Sequence, residues 1–204
     1  MRTSARHRGR DARKRGPLDR LRAIAAVSLL AVTLSPSAQP QNEQPGEYQL
    51  KAAFLFNFAK FVDWPDGTFA TPTSPFTICI LGQDPFGHDL DDSLRGKTIS
   101  SRPIVVRRCN SDPETRGCQI LFVSRSQGRR MAEILQGLRG SKVLVVGEAD
   151  GFAAGGGAIE FVLEQEHVRF RINPDAAARE GLTISSKLLA LATIVRDGSN
   201  NGKN

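Results

Sequence analysis

Histidine is scarce in this chain: 204 residues contain three, His7, His88 and His167. None sits in a metal-ligand spacing, and HExxH, CxxC and any Cys/His cluster are missing, so neither a structural nor a catalytic zinc is expected. No serine occupies a GxSxG elbow. A hydrolase would have to use Ser124, Ser126, Ser185 or Ser186 with His88 or His167. The glycine-rich run Gly151–Gly157 lacks the GxGxxG order and the P-loop Lys-Ser/Thr, and a strand pattern follows it, so it reads as a turn. Acidic neighbours such as Asp91 with Asp92, or Glu164 with Glu166, read as solvated loop residues. No catalytic residue, metal or cofactor is therefore expected.

Long apolar runs are also missing. The longest, Ala23–Leu34, is broken only by Ser28 and Thr33, and is short of the roughly 20 residues that a membrane span needs. Nine basic residues precede it and the small-residue segment Ser35-Pro36-Ser37-Ala38 follows. A basic start, a short apolar run and a small-residue exit describe a secretory signal peptide over residues 1–38, with cleavage after Ser37 or Ala38. No cysteine near that exit offers a lipid anchor. The expected product is a soluble periplasmic protein.

Removing such a leader changes the charge argument. The whole chain holds 28 Lys+Arg and 21 Asp+Glu. The leader accounts for nine of the basic and two of the acidic residues, leaving 19 of each. The high pI thus belongs to the export signal. A nucleic-acid partner needs a basic face, and no overall basic excess remains to supply one.

The other ~166 residues suit one domain with a full hydrophobic core. Residues 39–47 read as a flexible linker, 48–196 as the domain and 197–204 as a disordered tail. Leu50, Phe54, Phe58 and Phe61 follow helical spacing, with Ala52, Leu55 and Val62 widening the stripe, and the helix should stop before Trp64-Pro65. Strands are expected at Phe76–Leu81, Pro103–Val106, Gln119–Val123, Lys142–Val146, Ala158–Leu163 and Val168–Ile172. Helices are expected over about 85–92, over Arg129–Leu138, after the Asn173-Pro174 start, and over Ser185–Val195. The alternation predicts an α/β fold, a mainly parallel sheet with helices on both faces and an antiparallel C-terminal hairpin.

Three cysteines lie beyond the leader: Cys79, Cys109 and Cys118. In an oxidising compartment two of them can pair. Cys79 and Cys118 both fall on predicted core strands, while Cys109 lies in a polar stretch. Spacing alone leaves a Cys79–Cys118 bridge and two small buried apolar side chains equally open. His167, Arg169 and Arg171 alternate with Val168 and Phe170 and share one face of a strand, either as a partner contact or as the polar face of an edge strand.

Several segments in order resemble the YfiR family: KAAFLFNFAKFVDWP at 51–65, FTICILGQDPFG at 76–87, CQILFVSRSQGRR at 118–130, GFAAGGGAIEFV at 151–162, VRFRIN at 168–173 and AAAREGLTISSKLLALATIV at 176–195. The resemblance spans about Tyr48 to Val195. It implies an α/β periplasmic repressor that tends to dimerise and pairs Cys79 with Cys118. It further implies two partners. One is the periplasmic part of an inner-membrane, YfiN-like diguanylate cyclase. The other is an outer-membrane YfiB-like lipoprotein that draws the repressor away, raising cyclic di-GMP and promoting biofilm. Cys109 lies outside the family pattern, and the second disulfide of some members has no counterpart near the glycine-rich loop. Candidate partner contacts are Tyr48, Phe54 and Phe58 on the opening helix and His167, Arg169 and Arg171 on the strand. The competing reading is a small-molecule sensor with its ligand near Gly82–Phe86 and Gly151–Gly157.

Overall fold

The computed structural model describes residues 46–197. The expected leader, residues 39–45 of the linker and residues 198–204 of the tail lie outside the described residues. Helix α1 (Glu47–Phe61) opens the domain and runs into the two-residue strand β1 (Val62–Asp63), where the chain becomes extended ahead of Trp64-Pro65. Strand β2 (Phe76–Leu81) follows, then α2 (Asp89–Leu94), β3 (Thr98–Ile99) and β4 (Arg102–Cys109). A 3-10 turn at Asp112–Thr115 leads to β5 (Ile120–Val123), and a second at Arg125–Arg130 leads to α3 (Met131–Gly137). Then come β6 (Leu144–Gly147), β7 (Ile159–Glu164), β8 (His167–Ile172), α4 (Pro174–Arg179), β9 (Thr183–Ile184), α5 (Ser186–Leu189) and β10 (Thr193–Ile194).

Eight strands form one sheet in the order β10-β8-β7-β6-β5-β2-β4-β3, and β1 pairs with β9 in a small antiparallel ladder. The run β7-β6-β5-β2-β4 is parallel throughout, whereas β7 with β8 and β3 with β4 are antiparallel. The α/β class and the C-terminal hairpin are as expected. Glu164 pairs with His167, so Gln165 and Glu166 form a two-residue turn, both with positive φ (49° and 63°). That geometry matches the right-handed twist of the flanking strands.

The central strands are buried on both faces: β5 and β6 have no exposed residue. One layer joins α1, α2, α4 and α5 to Ile78, Ile80, Ile120, Phe122, Leu144, Val146, Phe161 and Phe170. The opposite layer joins Ile134 of α3 and Phe152 to Cys79, Leu81, Leu121, Val123 and Val145. Period-two alternation in the strands separates these two sets.

The strand expected at Pro103–Val106 extends over Arg102–Cys109, and two expected helices differ. The helix expected at 85–92 begins at Asp89, because Asp84 Oδ1 accepts from the Phe86 N–H at 2.7 Å and Gly87 turns with φ 54°. The closing helix expected over 185–195 is one turn, Ser186–Leu189. Its β-branched end, Thr193-Ile194, lies parallel to β8 against Arg171 and Ile172, gaining ladder hydrogen bonds that a helix end would leave open.

Candidate functional site

Cys79 on β2 and Cys118, two residues ahead of β5, are disulfide-bonded with Cα atoms 5.9 Å apart. Cys109 is not in a polar loop: it closes β4, is 1% exposed, and packs beside the bridge as a free thiol. Its burial pushes the thiol pKa up, an effect that Arg107 opposes and Glu114 reinforces.

At the carboxyl edge of the sheet the sequence reading missed a buried ionic cluster. Lys51 Nζ lies 2.7 Å from Glu148 Oε2 and 2.5 Å from Glu47 Oε1, and Lys51 and Glu148 are both 3% exposed. Tyr48 donates to Glu148 at 3.3 Å, and the Arg125 backbone N–H and guanidinium donate to the Glu148 carboxylate and carbonyl at 3.3 and 3.1 Å. Burial, followed by the Glu148 charge, raises the Tyr48 pKa. Burial pulls the Lys51 pKa down, but the hydrogen bonds it donates to Glu148 and Glu47 outweigh it, leaving the ammonium above its ordinary value. The cluster ties the start of α1 to the end of β6. Its signal in the sequence was a lysine on the stripe 51-55-58-62 and a lone glutamate just past a buried strand.

This edge is also where open α/β sheets commonly bind ligands, and here it is filled. Gly82 has φ 95°, and a Cβ built on it would meet Ser126 Oγ at 2.6 Å and Gln127 Cγ at 2.8 Å. Phe86 is buried between Tyr48 and Phe122, with ring centroids at 5.5 and 4.8 Å. Ser124 and Ser126 bond to each other at 3.2 Å, and no hydrogen bond joins a histidine to a serine among the described residues.

The candidate partner residues do not form one surface. Phe58 is fully buried and packs on Phe161 and Phe170 at 5.6 and 5.2 Å, so it is a core residue and leaves the contact set. The buried face of α1 centres on Ala52, Leu55, Phe58 and Ala59, rotated from the expected stripe so that Leu50 is 36% exposed. Phe54 is half-buried over Phe170 at 5.2 Å, and Tyr48 is half-buried over the Glu148 cluster. Val168, Phe170 and Ile172 point toward α1, so His167, Arg169 and Arg171 point to the opposite face of the sheet. On that face Arg171 lies 3.4 Å from buried Glu160 and 3.7 Å from Glu164, while His167 Nδ1 lies 2.7 Å from the Gln165 carbonyl. Glu160 in turn accepts from the Gly151 and Ala153 N–H groups, anchoring the glycine-rich loop. Arg169 is exposed and has no ion pair among the described residues. The strand is only partly an edge, because β10 covers it at Arg171 and Ile172 alone.

No curated protein matches this chain. Solved structures similar to part of it include two at low identity. They are an ABC domain in complex with L-Trp from Streptococcus pneumonia (13% identity, TM-score 0.43) and a conserved domain protein from Vibrio cholerae O1 biovar eltor str. N16961 (13%, TM-score 0.42). The alignments cover 59% and 58% of this chain, and 56% and 54% of those chains, so each spans little more than half of the solved protein. The pattern of the YfiR/HmsC-like family matches residues 48–193, from the first turn of α1 to β10, and the chain belongs to that family.

Proposed function

We propose that this protein is an exported regulator that acts by binding. It holds a membrane-bound diguanylate cyclase in check through the cyclase's periplasmic part, and so controls cyclic di-GMP and biofilm formation. An outer-membrane YfiB-like lipoprotein competes for it, and the working form is a homodimer. The observation that carries the reading is family membership over residues 48–193; the family is regulatory rather than catalytic. The exposed hairpin face with Arg169 supports it as a contact region, because interface energy concentrates in a few arginine and aromatic side chains. The small-molecule alternative draws no support from the Gly82–Phe86 end, which Ser126 and Gln127 fill.

Capture from membranes tests the reading. Tagged protein released from the periplasm by osmotic shock should retain an inner-membrane protein with a cyclase domain, and Arg169→Glu should reduce that capture at unchanged melting temperature. Recovery of the tagged protein in the cytosol with its leader intact would remove the reading.

A further inference from the structure

A cleft lies between α3, the glycine-rich loop and α4. One cavity in it, of about 390 Å³, has an apolar floor of Leu135, Leu138, Val143, Val145 and Ala176. A second, of about 510 Å³, shares Arg139, Gly155, Gly156, Arg179 and Glu180 with the first and reaches Asp197. Glycine keeps the cleft open. Gly156 has φ 105°, and a Cβ built on it would stand 3.6 Å from Arg179 Nη2; one on Gly155 would meet Met131 Cε at 3.0 Å. The loop itself offers no phosphate cradle, because the N–H groups of Gly155, Gly156 and Gly157 are taken by the carbonyls of Gly151, Ala153 and Phe152. Recognition in this cleft therefore falls to side chains.

Those side chains already hold a carboxylate. Asn173 is fully buried, and its Nδ2 donates to the Ala153 carbonyl at 2.8 Å and to Asp197 Oδ1 at 2.5 Å. The Arg179 guanidinium bonds both Asp197 oxygens, Nη1 to Oδ2 at 2.5 Å and Nη2 to Oδ1 at 3.4 Å. Hydrogen bonding to Arg179 lowers the Asp197 pKa against its partial burial, and Asn173 and the Arg139 charge add to the effect. Arg139 lines the same cleft and has no ion pair among the described residues. Glu180, the other acid of the cleft, is held by the Gly140 and Lys142 N–H groups, each at 3.1 Å.

The donors and their carboxylate are anchored differently. Asn173 and Arg179 belong to the cap and last turn of α4, whereas Asp197 lies three residues past β10 with 48% of its side chain exposed. A buried amide proton left unpaired is costly, so whatever displaces Asp197 must bring an acceptor, and the planar fork of arginine matches a carboxylate. We propose that the cleft is a binding site for a small organic carboxylate, whose charged end replaces Asp197 on Arg179 and Asn173 while its apolar body lies over Leu135, Val143 and Val145. Arg139 is the second cation of the site, and Asp197 is its built-in competitor.

Full-length exported protein is titrated calorimetrically with octanoate, and with octanol as the same body without the charge. Octanoate should bind and octanol should not. Asp197→Ala should tighten octanoate binding about tenfold, the factor for a site that its resident carboxylate leaves open in roughly a tenth of the molecules. Adding Arg179→Gln should weaken it by about tenfold or more, the scale of a hydrogen bond to a charged group. Octanol binding as well as octanoate, equal affinity in wild type and Asp197→Ala, or no binding to Asp197→Ala would each overturn the proposal. Should Arg179→Gln fail to fold, a crystal structure of Asp197→Ala with octanoate decides without it. The carboxylate should lie within hydrogen-bonding distance of Asn173 Nδ2 and the Arg179 guanidinium, and octanoate seated elsewhere would overturn the site. Both measurements use this chain alone, so their failure would leave the repressor reading untouched.

Discussion

Lys51 occupies a position on α1 that the apolar stripe would give to a leucine, and it stays there because Glu148 comes with it. Removing one partner of a buried pair strands the other charge, typically at a cost of 3–5 kcal/mol, whereas replacing both with apolar residues is often neutral. Lys51→Ala should therefore lower stability by about 3–5 kcal/mol in chemical denaturation, and Lys51→Met with Glu148→Leu should recover most of it. The Lys51 pKa is raised on folding, so its contribution is complete below the unfolded value and fades only as pH rises through the folded one, in the alkaline range. Acid stability rests on other groups. Hydrogen bonding to Arg108 lowers the Asp91 pKa, and hydrogen bonding to Arg179 lowers that of Asp197. Depressed carboxylates contribute above their unfolded pKa, near 4, and lose that contribution as pH falls through the folded value. Melting temperature should thus fall below about pH 4, and Arg108→Gln should flatten part of that acid limb. An unchanged slope would remove Asp91 from the account.

The elements whose residues all favour one state were legible: β2, β5 and β6 are short apolar runs between turn signals, and Asn173 caps α4 by accepting from the Ala176 N–H at 3.1 Å. The closing segment was not, because Leu188, Leu189 and Ala192 fit a helical stripe while Thr193 and Ile194 fit a strand. Pairing with β8, invisible to local spacing, settles it. The same limit hid Cys109, whose burial comes from β4 lying beside β2. Close packing at the glycine-rich loop gives a further expectation. A Cβ on Gly157 would meet the Phe152 ring at 2.2 Å and the Phe152 carbonyl at 2.9 Å. Gly157→Ala should cost about 1–3 kcal/mol as overpacking and loosen the layer under α3. Cys79→Ser removes the bridge at the centre of that layer and should cost about 2–5 kcal/mol, seen as a lower denaturation midpoint. Wild-type stability in either variant would contradict the packing described.

For the whole molecule, the sheet sorts the candidate contacts more strictly than the sequence could. Tyr48 and Phe54 belong to the α1 side and Arg169 and Arg171 to the other, so one flat partner cannot use all of them at once. Alternation along β8 already implied opposite faces for Phe170 and Arg169; what spacing lacked was the side on which α1 packs. Arg171 is committed to Glu160 and Glu164, which leaves Arg169 as the residue whose charge reversal tests a contact without disturbing the fold. The regulatory account is tested most directly by cellular cyclic di-GMP. Cells lacking the gene would be compared with cells complemented by wild type or Arg169→Glu at equal protein levels. Deletion should raise cyclic di-GMP, wild type should restore it, and a normally folded Arg169→Glu should restore it poorly. Cyclic di-GMP unchanged by deletion would contradict the repressor function itself.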